Sequence, residues 1–63
     1  MKKLFKITVE KENVSFDLYI KETVKKAFLK VAELQGKANV INVNLKSCKK
    51  ASEKKAAKEF LAA

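Results

Sequence analysis

Thr23-Val24-Lys25-Lys26-Ala27-Phe28-Leu29-Lys30-Val31-Ala32-Glu33-Leu34-Gln35-Gly36 is the most regular stretch of the chain, and its reading decides how the rest is arranged. Val24, Ala27, Phe28, Val31 and Leu34 recur at the i, i+3, i+4, i+7 spacing that lines apolar side chains along one side of a helix. Glu22 and Thr23 suit the first turn or cap, and Glu22 stands four residues before Lys26. Gly36 occupies the position where a glycine closes a helix. The spacing predicts a helix over 23–36, with Phe28 and Val31 at the centre of the core.

The segments on either side alternate with a period of two. In Lys3–Glu10, Phe5, Ile7 and Val9 face one way and Leu4, Lys6, Thr8 and Glu10 the other, the pattern of a half-buried strand. Val14–Ile20 repeats it, with Val14, Phe16, Leu18 and Ile20 inward and Ser15, Asp17 and Tyr19 outward. Lys11-Glu12-Asn13 breaks the two runs into a hairpin, Asn13 being suited to the left-handed backbone of a tight turn. After the helix, Ile41, Val43 and Leu45 point one way and Asn42, Asn44 and Lys46 the other, with Val40 on the polar side. Ser47 is placed to cap a second helix from Cys48 towards the C-terminus, rich in alanine, lysine and glutamate. Its apolar stripe, Ala51, Ala56, Phe60 and Leu61, is thin, so it docks lightly.

The order β-β-α-β-α defines an α+β domain, ββαβα, with a three-stranded sheet. A strand–helix–strand crossover makes the third strand parallel to the second. It either pairs with the second directly or lies antiparallel on the far side of the first; order 2-1-3 is favoured. Both helices are then expected on the face carrying Phe5, Ile7, Phe16, Leu18, Ile41 and Val43, leaving the other face open.

Sixty-three residues make one small domain, 1–63, and such a chain buries only about 60% of the surface it exposes when unfolded. A single cysteine excludes an intrachain disulfide, which suits a reducing compartment. Lys6 and Glu10 interrupt the apolar run that a signal peptide would need after Lys2 and Lys3, and no run reaches membrane-spanning length. These features lead to the expectation of a cytoplasmic protein without integral membrane association.

Chemistry is sparse. With no histidine, one aspartate and one glycine, there is no acid–base pair, no glycine-rich phosphate loop and no metal ligand set. The expectation is a non-enzymatic protein with no cofactor, no metal and no small-molecule substrate. Cys48, beside Lys49 and Lys50 at a helix start, is the one candidate nucleophile; without a base to activate it, it reads as a small apolar residue.

The net charge of +8 favours a polyanionic partner. All of the basic residues are lysine, so contacts to phosphate would be point charges rather than bidentate readings. Lys50, Lys54 and Lys58 stack on one helical stripe at i, i+4, i+8. Lys6, Lys46 and Tyr19 lie on the outward sheet face, where an aromatic can stack on a base. These six are the candidate nucleic-acid residues, for DNA or RNA held electrostatically. The bland reading is a solvated helix and sheet face in a lysine-rich chain. The alternative function is a protein-interaction module: an inhibitor or adaptor for an acidic protein, or a homodimer. Its candidate residues are Leu29, opposite the apolar stripe, with Val40 and Leu4. Small lysine-rich chains of this kind also resemble, in composition alone, accessory proteins of phages and mobile elements.

Overall fold

A computed structural model describes residues 2–63. The elements are β1 (Lys3–Lys11), β2 (Ser15–Glu22), α1 (Val24–Gln35), β3 (Val40–Ser47) and α2 (Ala51–Ala62). The sheet is antiparallel throughout, in the order β2-β1-β3. Class, element order and strand order are thus as the sequence leads one to expect. The hairpin forms because a short polar break joins two alternating runs. The helical crossover from β2 then leaves β3 only the far side of β1.

Register assigns the two faces. Phe5 lies opposite Ile20, Ile7 opposite Leu18 and Leu45, and Val9 opposite Phe16 and Val43. Ile7, Val9, Leu34 and Val43 form the buried cluster on this face, with Leu18, Ile20, Val31, Val40 and Leu45 packed around it. Helix α1 covers it, mainly over β3. The stripe it buries is not centred on Phe28. Ala27 and Leu34 are buried and Val31 half-buried, whereas Phe28 is 61% exposed. A small residue at the point of closest approach lets the helix settle onto the sheet, and the large Phe28 is left on its flank.

Helix α2 is not on that face. Tyr19 is paired with Lys6 and so projects from the opposite side to Ile7, and its ring lies 5.5 Å from that of Phe60. Cys48 donates its N–H to Leu4 C=O, which puts its side chain on the Leu4 side as well. No Cα of α1 comes within 8 Å of one in α2. The sheet is therefore sandwiched between the helices. The expectation of two helices on one face fails because α2 approaches through alanine, with Ala57 fully buried, and so needs only the thin apolar surface of Leu4, Tyr19 and Cys48. The expected open face shrinks to the β3 strip of Asn42, Asn44 and Lys46 and the hairpin end with Glu10, Ser15 and Asp17, all exposed.

Three further expectations are corrected. Pairing steps from Glu10–Asn42 to Lys11–Val40, leaving Ile41 unpaired in a β-bulge. The extra residue reverses the alternation, so Val40 packs on the core and Ile41 is 67% exposed. Val14 precedes β2 and is exposed, as is Phe16; α1 packs mainly over β3 and approaches β2 least. Helix α2 starts at Ala51 rather than Cys48, since the Leu4 carbonyl keeps Cys48 tied to β1.

Capping is ordinary. Thr23 Oγ1 accepts from Lys26 N–H at 3.4 Å. Gly36 closes α1 at φ −77°, with its N–H on Ala32 C=O. The left-handed residue is Asn39, at φ 71°, and not Gly36 or Asn13. Glycine's freedom is thus unused at 36, and an added Cβ would meet only Glu33 and Ala32 carbonyls at 3.5 and 3.7 Å. Gly36→Ala is therefore expected to stabilise the fold by about 0.4–1 kcal/mol through the unfolded chain, read as a raised melting temperature.

Candidate nucleic-acid interface

Antiparallel pairing sets Leu4 between Lys21 of β2 and Cys48 beyond β3. Four separate segments meet around that point. Lys2 and Lys3 come from the N-terminal end of β1, Lys21 from the end of β2, and Lys49 from the link between β3 and α2. Lys54 and Lys58 come from successive turns of α2. Together they line a cleft of about 450 Å³ floored by Leu4, Ser47 and Cys48. No carboxylate lines it, and among the described residues none of its six lysines makes an ion pair. Like charges held this close repel one another, and an anion in the cleft relieves that repulsion.

The residues singled out from sequence divide. Lys54 and Lys58 enter the cleft. Lys50 is the N-cap of α2, exposed and outside it. Lys46 is exposed on β3 opposite Lys6. Lys6 is 3.6 Å from Asp17, whose other oxygen accepts from Thr8 Oγ1 at 2.8 Å. Tyr19 is half-buried against Phe60 at an interplanar angle of 59°, so it is not a free stacking platform. Lys2, Lys3, Lys21 and Lys49 were missed because no periodicity links them; only the pairing register brings them together. The one signal in the sequence was for Lys21, through the parity that puts it on one face with Leu4 and Cys48.

The protein-contact candidates also separate. Leu4 floors the cleft and Val40 belongs to the core. Leu29 is 62% exposed and borders a second groove, of about 520 Å³, with Ile20 and Leu61.

Two titratable groups at the start of α2 are perturbed. Burial, then the Glu53 charge, raises the Cys48 pKa, against the smaller pull of Lys6 and Lys46. Cys48 is also 6% exposed, and the thiol is a packing residue. The Glu53 pKa is lowered, first by the hydrogen bond from Lys50 N–H, at 3.1 Å, with Lys46, the Lys49 N–H and Lys50 adding and burial opposing. A carboxylate whose folded pKa is depressed stabilises the fold above its unfolded pKa and loses that contribution as the pH falls. Glu53→Gln is expected to melt below the wild type at neutral pH, with the gap closing as the pH drops below 4.5; thermal melts across that range check it.

Among the described residues no three acidic, cysteine or histidine side chains gather as a metal site, and no helix is long and apolar enough to cross a membrane. No protein-family model, curated protein or solved structure matches the chain.

Proposed function

We propose that the protein binds nucleic acid through the sugar–phosphate backbone, with little sequence preference, and that the six-lysine cleft is the contact. The observation that carries this reading is the convergence of Lys2, Lys3, Lys21, Lys49, Lys54 and Lys58 on one concave surface without a carboxylate among them. Lysine supplies charge without the planar fork that reads base edges. The Tyr19 ring is covered, so stacking adds little. Binding is then set by phosphate number and salt rather than by base identity. Fluorescence anisotropy at low salt, with labelled single strands and duplexes of DNA and RNA in several sequences, tests it. Comparable affinities across sequences are expected. Absence of binding to every probe overturns the proposal.

A further inference from the structure

We infer that two copies of the chain associate through the free edge of β2, antiparallel and about a two-fold axis at Tyr19, to form one six-stranded sheet. In the order β2-β1-β3 the outer edge of β2 has no partner among the described residues. The strand is eight residues long and has no proline, glycine or bulge to blunt that edge.

The backbone fixes which residues can pair there. Lys11 N–H donates to Val14 C=O at 2.7 Å, which makes 11 and 14 a hydrogen-bonded pair. Such pairs alternate along an antiparallel ladder. Hence Phe16, Leu18, Ile20 and Glu22 point their N–H and C=O groups at β1, and Ser15, Asp17, Tyr19 and Lys21 point theirs outward. A second copy must match outward residues to outward residues, so the axis falls on a residue rather than between two. With the axis at Tyr19, Asp17 meets Lys21 of the second copy, twice by symmetry, and Leu18 meets Ile20 likewise. Moving the axis to Leu18 sets Asp17 against Tyr19. Moving it to Ile20 sets Lys21 against Tyr19. Only the Tyr19 axis opposes unlike charges, and isologous contacts of this kind repeat every gain.

The same register accounts for three features that the monomer leaves open. Ile20, Leu29 and Leu61 border a groove at one end of β2 that Lys21, Glu22, Lys26, Lys30 and Glu33 also line, and exposed Val14 and Phe16 lie at the other. The two-fold brings Phe16 of the second copy opposite Glu22, on the face of Ile20 and beside that groove. Among the described residues Glu22 Oε2 is buried without a hydrogen-bond partner. Lys11 lies over the Phe16 ring, 5.6 Å from its centroid, and travels with it, which delivers an ammonium to Glu22. Coplanar pairing also keeps both lysine clefts on one face of the joined sheet. If the cleft binds phosphates as proposed, the dimer presents two to one strand.

Sedimentation equilibrium without nucleic acid, from micromolar to millimolar protein, tests the association separately from the cleft. At physiological salt the Debye length of about 8 Å screens the net repulsion of two +8 chains. The expected limit is twice 7.1 kDa. Lys21→Asp and Asp17→Lys should each weaken association about tenfold, from two repulsive pairs, and the double exchange should restore it. Amides of Asp17, Tyr19 and Lys21 should gain hydrogen-exchange protection with concentration, which reads the edge in the unaltered chain. A wild type that stays monomeric at millimolar concentration overturns the inference. So does a dimer indifferent to Lys21→Asp, or one whose edge amides stay unprotected.

Discussion

Ile7→Ala will cost about 2–5 kcal/mol of folding stability, while Phe28→Ala will cost less than about 1 kcal/mol. Ile7 is fully buried, in the central strand, flanked in register by Leu18 and Leu45 and packed in the cluster with Val9, Leu34 and Val43. Removing three carbons there leaves a cavity that strands on both sides prevent from collapsing. A chain of this length commands only about 3–9 kcal/mol in total, at 0.05–0.15 per residue. The alanine variant is therefore expected to be substantially unfolded or to show a urea midpoint lowered by at least about a fifth. Phe28 is the larger side chain, but at 61% exposed its removal opens little. Urea titrations followed by far-ultraviolet circular dichroism decide between them. Equal losses for the two variants would return Phe28 to the core.

The contrast shows what periodicity does and does not encode. The spacing of Val24, Ala27, Phe28, Val31 and Leu34 locates α1 to within a residue at each end. It does not say which member of the stripe faces straight down. Weighting by size points to Phe28; packing chooses Ala27, about 100° away on the wheel, because closeness to the sheet matters more than bulk. Helix α2 repeats the lesson. Its docking residue is Ala57, invisible to a search for large apolar side chains, so the side of the sheet it chooses was not legible either. Strand order was legible because a short hairpin followed by a helical crossover leaves few arrangements. The bulge at Ile41 was not, since alternation in β3 reads unbroken until its partner strand supplies the count. For the cleft, Lys54 and Lys58 could be paired by helical spacing, but the other four lysines share only a place in three dimensions.

That difference between stripe and cleft has a measurable consequence for binding. If all six cleft lysines neutralise phosphates of a single strand, log K should fall with log salt at a slope near −4, about 0.7 per contact. Between roughly 50 and 200 mM salt the affinity then drops on the order of 300-fold. Lys54→Gln with Lys58→Gln removes two contacts, and the slope should flatten to about −3. The sequence stripe would include Lys50 on equal terms, but Lys50 caps α2 outside the cleft. At protein concentrations too low for self-association, Lys50→Gln should therefore leave the slope unchanged, and Lys21→Gln, on a different element altogether, should flatten it by as much as Lys54→Gln alone. Anisotropy titrations at four or five salt concentrations provide the slopes. The pair of Lys21 and Lys50 is the sharpest comparison, since each substitution removes one exposed positive charge and the net charge of the two variants is the same. Equal effects from the two would mean that the whole positive surface attracts the strand and the cleft does not. A slope that moves for Lys21 and not for Lys50 ties the contact to the place where the pairing register brings β1, β2 and α2 together.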